Sequence, residues 1–511
     1  PGGRKVDLPA YPWQRERHWW PHATASTEAP ASTEVVAPAA EAPAAEGSAA
    51  PPRAGHERLV HAITWSPAPA PGRDDGLTGR WWIVDDDRER TAALAGQIVL
   101  AGGEPVREPG PDLAGAVVFA SPQVEGIRAR WTSVAALLRA TRGGPPPQLV
   151  LVTRGAWALA PGDPPPALTG APLWALGRVL AYEHPELRGR RIDLDPGGDE
   201  SDALRELVAE LGRADAPDEL ALRPGQRLSP VLTPLAPADP APLVLAADRP
   251  WLITGGLGGI GLRLAGWLVA HGARRLALLG RSRPRPDAAA QLDALRDAGA
   301  RVLVQTVDVT HAEPLAAAVA AVEHELGPIA GVVHGAGALA DGLFTDLDAA
   351  SLDAVLGPKV AGADHLHALF TGPRGRALEH FVLLSSTAAT LGTPAQANYA
   401  VANAHLDALA AARRAAGLPG LALAWGPWAE VGMAASDPRR GPRLADRGMP
   451  SLPVADALAP LARLLGREPG LPACVLVVDL DAARWCEAHP GMRRATRLQA
   501  LLGAAPPPAS G

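Results

Sequence analysis

A glycine-rich turn between an apolar strand pattern and an apolar helix pattern limits the possible folds of this chain more than any other feature. The strand pattern covers residues 251–254, and five glycines occupy the next seven positions. Such glycines let the backbone approach a pyrophosphate closely, with the phosphate charge facing the N-terminus of the following helix. A tight turn without a ligand is the alternative, which the position between strand and helix disfavours. The predicted phosphate-binding residues are Thr254, Gly255, Gly256, Leu257, Gly258, Gly259, Ile260 and Gly261.

Strand patterns and helical stretches alternate through the second half of the chain. This alternation is typical of a doubly wound parallel sheet, which binds ligands at the carboxyl ends of its strands. The predicted strands cover residues 251–254, 275–279, 301–307, 329–334, 379–385, 420–425 and 474–478.

An earlier α/β series covers residues 57–240, with strand patterns at 81–84, 116–119 and 149–152. Three aspartates, residues 85–87, follow its first buried strand, where a nucleotide-binding unit needs glycines. Acidic side chains there repel a pyrophosphate. We therefore expect two tandem Rossmann-like subdomains in an α/β fold, the first degenerate and non-binding, and the second, residues 241–485, binding the nucleotide.

The remaining segments are interpreted as linkers. Residues 1–20 are rich in proline and aromatic residues and are too short to fold alone, while residues 21–56 consist mainly of Ala, Pro, Glu, Thr and Ser. Such a composition favours a flexible linker. The proline-rich end of the chain predicts a further linker at residues 486–511, and we expect the whole to be a piece of a longer protein.

Charge and cysteine content exclude several classes of function. The net charge of −6 favours neither nucleic acid nor an anionic membrane surface as a partner. No apolar stretch approaches the roughly 18 residues of a membrane span. The two cysteines, Cys474 and Cys486, form no metal-binding or disulfide pattern. We therefore expect no metal, and we expect a cytoplasmic location.

The basic residues are almost all arginine, with 46 arginines and only two lysines, Lys5 and Lys359. Arginine replaces lysine as a surface charge but not where a compact ammonium with an adjustable pKa is needed, which singles out Lys359. Ser386, Tyr399 thirteen residues later, and Asn403 four beyond that follow a strand pattern. Two hydroxyl groups held in this way suit the polarisation of a carbonyl.

Further cofactor contacts are predicted at the ends of the next strands. Arg281 and Ser282 lie twenty residues past Gly261, where an arginine accommodates the 2′-phosphate of NADP, so NADPH is the expected cofactor. Asp308 and Val309 close the following strand near the adenine, although capping of a helix N-terminus explains the aspartate nearly as well. The small residues Gly335, Ala336 and Gly337 would admit the nicotinamide ribose. The adjacent His334 is expected to be a packed residue rather than a catalytic one.

Together the turn at 254–261, residues 334–337, Ser386, Tyr399 and Asn403 resemble the short-chain dehydrogenase/reductase superfamily. More closely, the chain is similar to the ketoreductase of a modular type I polyketide synthase. The resemblance extends to residues 57–240, which look like that family's structural subdomain, and to residues 6–20, which look like its post-acyltransferase linker. Ordinary superfamily members carry lysine where Asn403 stands, and in these ketoreductases the lysine comes from the preceding helix, here Lys359.

The resemblance implies reduction of a β-ketoacyl thioester that an acyl carrier protein presents on its phosphopantetheine, beside neighbouring domains of a bacterial synthase. Tyr399 would donate the proton, with its pKa of about 10 lowered by the Lys359 ammonium. Ser386 would bind the carbonyl oxygen, and Asn403 would position Lys359 or a relay water.

The same resemblance carries the stereochemical prediction. Leu391 stands where A-type members have tryptophan, and Asp341 keeps one aspartate of a B-type motif, so B-type reduction is expected. Further substrate contacts are expected at Gln396, Trp428 and Met433, although a merely buried methionine explains Met433 equally well. Two alternatives stay open, namely a catalytically silent scaffold and a domain that only epimerises the α-carbon.

Overall fold

The computed structural model describes residues 55–503 except for residues 71, 73–74, 160–161, 214–215, 237–242, 244, 433–437 and 467–469. The predicted linker at residues 1–20, residues 21–54 of the linker predicted at 21–56, and Met433 lie outside the described residues, while residues 55–56 belong to a short 3₁₀ turn.

Fifteen strands in the described part of the chain form one sheet. The strands are β1 (Val60–Pro67), β2 (Arg80–Val84), β3 (Glu104–Val106), β4 (Leu113–Phe119), β5 (Gln148–Arg154), β6 (Arg190–Leu194), β7 (Glu219–Arg223), β8 (Gln226–Pro234), β9 (Trp251–Thr254), β10 (Arg275–Gly280), β11 (Arg301–Thr306), β12 (Gly331–His334), β13 (His380–Ser386), β14 (Leu421–Trp425) and β15 (Cys474–Val477). Their order across the sheet is β11-β10-β9-β12-β13-β14-β15-β1-β8-β7-β6-β5-β4-β2-β3.

The sheet consists of two parallel arrays, which we call the first half (β2–β8) and the second half (β9–β15). All neighbours in the second half pair in parallel, and so do β2–β7, whereas β8 is antiparallel to β7. Strand β1 lies between the halves and pairs antiparallel with both β8 and β15. The two Rossmann-like units are confirmed, but one continuous sheet joins them and the described residues form one compact unit.

Helices cover both faces of the sheet. They are α1 (Arg88–Leu100), α2 (Gly126–Ala140), α3 (Gly170–Glu183), α4 (Glu200–Leu211), α5 (Gly259–Ala270), α6 (Pro286–Asp297), α7 (Ala312–Leu326), α8 (Ala349–Leu356), α9 (Gly362–Leu369), α10 (Gly372–Ala377), α11 (Thr387–Leu391), α12 (Ala397–Ala415), α13 (Arg440–Asp446), α14 (Val454–Leu458), α15 (Leu461–Leu465) and α16 (Ala482–Ala488). Short 3₁₀ turns cover Gly55–Leu59, Pro185–Leu187, Pro490–Arg494 and Thr496–Leu502, and a π-helical turn covers Gly357–Ala361. Within these residues no helix is long and apolar enough to cross a membrane.

Helices α3 and α12 pack against each other and join the two halves through a shared apolar core. Ala400, Ala404 and Ala408 follow one another at single-turn spacing on α12 and are all buried. Small side chains at this spacing let a neighbouring helix approach closely. The helix that carries Tyr399 therefore rests on the first half.

The prediction of a linker from residue 486 is wrong for residues 486–502. Met492 and Leu498 are buried, and the buried Arg497 lies 3.0 Å from a carboxylate oxygen of Glu219 in the first half. The prediction rested on the proline-rich end of the chain, which follows this segment and does not describe it. Here the arginine at position 497 is directed inward and is neutralised by a buried partner.

Candidate active site

The glycine-rich turn after β9 leaves no room for side chains. Gly255 has a φ of +64°, and a Cβ there would lie 2.6 Å from the carbonyl oxygen of Gly335. A Cβ on Gly261 would lie 2.4 Å from the carbonyl oxygen of Gly255. Helix α5 begins at Gly259, with Gly258 as its N-cap, so its free N–H groups open onto the turn. This cradle fits a pyrophosphate.

A cavity of about 780 Å³ extends from this turn to the start of α12. It lies at the carboxyl ends of β9, β10, β12 and β13, where the doubly wound topology places ligands. The predicted cofactor residues that line it are Gly255, Leu257, Gly258, Gly259, Ile260, Gly261, Arg281, Ser282, Val309, Gly335, Ala336 and Gly337.

Three predicted cofactor residues do not line the cavity. Thr254 is buried, and its hydroxyl accepts a hydrogen bond from the Gly335 amide at 3.2 Å. Gly256 is packed against the strand residue Leu278. The carboxylate of Asp308 accepts a hydrogen bond from the Thr310 amide at 3.0 Å in the turn before α7, whose N-cap is His311, so it neither lines the cavity nor caps that helix.

His334 is a packed residue, as expected from its position. Its Nδ1 lies 2.8 Å from the hydroxyl of Thr254, and its Nε2 lies 3.0 Å from the carbonyl oxygen of Lys359. Burial, followed by the nearby Lys359 ammonium, lowers the pKa of His334 to about 4. The neutral imidazole therefore holds the lysine backbone in place.

Lys359, Ser386 and Tyr399 line the same cavity. Ser386 ends β13, and Tyr399 lies in the first turn of α12. The Nζ atom of Lys359 lies 5.3 Å from the centroid of the Tyr399 ring and donates a hydrogen bond of 2.9 Å to the carbonyl oxygen of Leu384. Asn403 is fully buried one turn behind Tyr399.

Lysine reaches this position from the π-helical turn Gly357–Ala361, which follows α8. Pro358 has no amide hydrogen and disturbs the regular α-helical hydrogen bonds, and single π turns of this kind are frequent at functional sites. A Cβ on Gly337 would lie 3.2 Å from Cε of Lys359. The absence of a side chain at Gly337 thus makes room for the lysine stem.

The pKa of Tyr399 contradicts the expectation from sequence. Burial raises it above its ordinary value, although hydrogen bonding to Asn403 and Ser386 acts in the opposite direction. Lys359 lies over the face of the ring and donates its hydrogen bond to a main-chain carbonyl rather than to the phenol oxygen, so its charge does not outweigh burial. Burial also lowers the pKa of Lys359 to about 8, opposed by the carboxylate of Asp407.

The predicted substrate residues fall into two groups. Asp341 accepts a hydrogen bond of 3.1 Å from Nε2 of Gln396 and pairs with Arg440 of α13, and Trp428 packs edge-to-face against a further tryptophan. All four line the cavity. Leu391 does not, because it is only 1 % exposed and belongs to an apolar core on the far side of α11.

Several cavity residues were missed by the reasoning from sequence. They come from α13 and the residues just after it, from α16 and, for His489 alone, from the segment interpreted as a linker, and no motif marks them. Trp485, the last residue of the predicted nucleotide-binding subdomain, was the only available signal, since a large apolar side chain is usually buried. The residues are Arg440, Arg443, Arg447, Met449, Trp485 and His489.

No group of three His, Cys, Asp or Glu residues in the described ranges could hold a metal ion, and Cys474 and Cys486 are free thiols.

Comparison with known proteins identifies this arrangement. The KR domain family matches residues 250–430, and the family described as "Polyketide synthase extender module SpnB, Rossmann fold domain" matches residues 18–232. A solved A-type ketoreductase of a modular polyketide synthase is 31% identical, with a TM-score of 0.76, and the match covers 88% of this chain and 98% of that one. The chain belongs to the ketoreductase family of modular polyketide synthases.

Other relatives support the same family. The first ketoreductase of the tylosin synthase is 32% identical, with a TM-score of 0.72, and the match covers 86% of this chain and 96% of that one. The pikromycin polyketide synthase component PikAIII of Streptomyces venezuelae is 33% identical over 95% of this chain. Polyketide synthase GfsA of Streptomyces halstedii is 39% identical over 70% of it. The chain spans only 30% and 5% of the lengths of these two synthases.

In this ketoreductase the first half contacts the segment between Ser386 and Tyr399. Arg178 of α3 donates a hydrogen bond of 3.0 Å to the carbonyl oxygen of Ala389, and the hydroxyl of Tyr182 donates one of 3.1 Å to that of Leu391. The sequence predicted the first half but not these contacts. The first half thus holds the main chain between Ser386 and Tyr399 in place.

Proposed function

We propose that this ketoreductase uses NADPH to reduce a β-ketoacyl thioester, carried by an acyl carrier protein, to the β-hydroxyacyl thioester. The reaction would take place in a cytoplasmic bacterial synthase, beside neighbouring synthase domains. The observation that carries the proposal is the single cavity shared by the glycine-rich turn, Ser386, Tyr399 and Lys359. An assembly of these groups suits hydride and proton transfer to a ketone rather than binding alone.

The cofactor preference rests on arginines at the adenine end of the cavity. Arg281, Arg283 and Arg285 follow β10 and line the cavity, together with Ser282. Guanidinium groups form charge-assisted hydrogen bonds with a 2′-phosphate, which NADPH carries and NADH lacks. The glycine cradle at Gly255–Gly261 would hold the pyrophosphate, and the bound nicotinamide would supply the hydride.

Tyr399 and Ser386 would act on the substrate oxygen. Because the pKa of Tyr399 is raised, its phenol stays protonated at neutral pH and can donate a proton to the developing alkoxide. The Ser386 hydroxyl would donate a hydrogen bond to the same oxygen and hold the carbonyl in line.

Lys359 and Asn403 would assist Tyr399 in the proton transfer. The Lys359 ammonium stabilises the phenolate that proton donation leaves. The amide nitrogen of Asn403 donates a hydrogen bond of 2.7 Å to the carbonyl oxygen of Tyr399, while its Oδ1 is buried and has no partner among the described residues. A buried amide oxygen of this kind suits a relay water that returns a proton.

B-type reduction is part of the proposal. Leu391 packs in the core and leaves the cavity wall without the tryptophan that the resemblance associates with A-type members. Asp341, Gln396 and Trp428 all line the cavity, where they can contact an acyl chain. Likeness in fold to an A-type relative does not determine which face is reduced, because face selection depends on side chains such as these.

Tyr399→Phe tests the reaction. With a 2-methyl-3-ketoacyl thioester, we expect the variant to lose about 10²–10⁴-fold in turnover, measured by NADPH absorbance, because the proton donor is gone. NADPH binding, measured by fluorescence titration, should be unchanged.

Three results would contradict the proposal. Wild-type protein that consumes no NADPH would favour a silent scaffold, and loss of an α-deuterium without reduction would favour an epimerase. Equal turnover in wild type and Tyr399→Phe would remove the tyrosine from the chemistry. Chromatographic separation of the four product stereoisomers tests the B-type assignment separately.

A further inference from the structure

The last residue of α3, Glu183, joins two loops of the second half. One carboxylate oxygen of Glu183 accepts a hydrogen bond of 2.7 Å from the amide of Ala395, and the other accepts one of 2.7 Å from the amide of Phe344. Both donors are main-chain groups far from Glu183 in the sequence. A single side chain of the first half therefore fixes the spacing between these loops.

Both loops carry residues of the cavity wall. Ala395 immediately precedes Gln396 and lies four residues before Tyr399, and Phe344 follows Asp341 by three residues. The loops also contact each other directly, because the amide of Gly342 donates a hydrogen bond of 2.9 Å to the carbonyl oxygen of Ala395. Glu183 thus links the two loops from the side of the first half. At the cavity wall the loops are linked again, because Gln396 donates a hydrogen bond to Asp341.

The backbone of Ala395 is strained where Glu183 holds it. Its φ is +64°, a left-handed conformation that a side chain disfavours. Such a conformation persists when the surroundings over-determine it, and here both main-chain polar groups of Ala395 are engaged, the amide by Glu183 and the carbonyl by Gly342. Without the carboxylate the loop can relax toward a different path into α12.

We propose that Glu183 is a positioning residue for the stereochemical course of reduction. It acts through Ala395 and Phe344 and does not touch the substrate. This inference rests on the proposed function, since it concerns the face from which the same ketone is reduced. The positions of Gln396, Asp341 and Tyr399 relative to one another set how the acyl chain lies against the reacting groups. A loop shift of about 1 Å is enough to change such an alignment.

Glu183→Gln tests the inference with little change in size. The carboxamide oxygen can accept one of the two amide hydrogens, but its NH₂ group faces the other, so one contact is lost. We expect the ratio of major to minor product stereoisomers to fall about tenfold and kcat/KM to fall about tenfold, as for loss of one charge-assisted hydrogen bond. The dissociation constant for NADPH should not change, because the glycine cradle is far from Glu183 in the chain and shares no contact with it.

Two further variants separate positioning from general stability. Glu186→Gln, three residues later, removes an exposed charge beside His184 and should leave the stereoisomer ratio unchanged. Ala395→Gly relieves the strain at φ +64°, so it should restore part of the lost ratio in the Glu183→Gln background. A purely structural role would lower the melting temperature of Glu183→Gln without changing the ratio.

The outcomes are distinguishable. A wild-type protein that reduces the thioester while Glu183→Gln gives the same stereoisomer ratio overturns the role of Glu183 alone. A changed ratio that Glu186→Gln reproduces also overturns it. A wild-type protein that does not consume NADPH overturns the proposed function, and the stereochemical role with it.

Discussion

The first βα turn of each half occupies the same place in the topology but contains opposite chemistry. In the second half it holds Gly255–Gly261 and opens onto the cavity. In the first half it holds three aspartates, and each carboxylate is engaged within the chain. Asp87 accepts hydrogen bonds from the amides of Glu89 and Arg90, Asp85 pairs with Arg90 at 2.5 Å, and Asp86 pairs with Arg130 at 2.7 Å.

The difference shows how one fold serves two purposes. Where a bound phosphate would face the N-terminus of α1, the chain supplies its own anions, and Asp87 caps the helix. The aspartates of this turn therefore stabilise the first half. The first half in turn supports the second half through α3. The second half has glycines in its turn, and their lack of side chains leaves room for a nucleotide phosphate.

Gly261→Ala should have the largest effect on the open turn. A Cβ there would lie 2.4 Å from the Gly255 carbonyl oxygen, so the turn must move. We expect NADPH affinity, measured by fluorescence titration, to fall by about 100-fold or more, which is roughly 2.7 kcal/mol. Gly266→Ala, on the same helix with nothing within 4 Å of its Cβ, is the matched control. It should keep full affinity and gain up to about 1 kcal/mol in stability.

Equal NADPH affinity in Gly261→Ala and Gly266→Ala would break the comparison, because the open turn would then have no part in cofactor binding. A loss in both variants would indicate that the whole of α5, rather than the turn, is sensitive to substitution.

Buried charges extend the comparison beyond the turns. In the first half, Glu219 is surrounded by arginines at positions 178, 191 and 497, which outweigh burial and lower the pKa of Glu219 to about 2. In the second half, Lys359 has only the Asp407 carboxylate to oppose the effect of burial, and its pKa falls to about 8. The first charge is fixed over the physiological range, whereas the second titrates close to it.

This contrast predicts a pH dependence of opposite sign for rate and stability. Single-turnover reduction should fall about tenfold per pH unit above pH 8, as the Lys359 ammonium is lost. The folded pKa of Lys359 lies below its ordinary value of 10.5, so the unfolded chain holds the proton longer. Its contribution to stability therefore rises between pH 8 and 10.5, measured by denaturant unfolding.

Lys359→Met is the control for this profile, since it should abolish both the falling rate limb and the rise in stability. A wild-type rate that stays level to pH 10 would contradict the assignment of the titration to Lys359.

Asp85→Ala should weaken the first half without changing cofactor binding. Its carboxylate is 1% exposed and holds Arg90, so we expect a loss of about 1–3 kcal/mol in the free energy of unfolding. Asp112→Ala removes a pair with Arg80 that is largely exposed and should cost about 0–1 kcal/mol. A weaker NADPH affinity in Asp85→Ala would show that the two turns are coupled, contrary to the division of roles inferred here.

Local patterns predicted most of the fold and the members of the candidate site. Strand and glycine signals are encoded in neighbouring residues, and Lys359 stood out because the chain otherwise uses arginine. The contacts between the halves were not predictable in this way. Glu183 and Arg497 reach partners more than one hundred residues away, and nothing in their own neighbourhoods marks them. The pKa of Tyr399 likewise depends on burial, which its sequence context does not reveal.

Arg281→Ala should have the smallest of these effects. Arg281 is exposed at the end of β10 and lines the same part of the cavity wall as Arg283 and Arg285, which follow the same strand, so its loss removes one of three positive charges. We expect about a tenfold loss of NADPH affinity and no change for NADH, because only the 2′-phosphate contact is weakened. Arg88→Ala, beside the acidic turn of the first half, should change neither affinity. Equal losses of affinity for NADPH and NADH would instead place Arg281 at the pyrophosphate, which both nucleotides carry. The second half would then have no charge-based preference for NADPH.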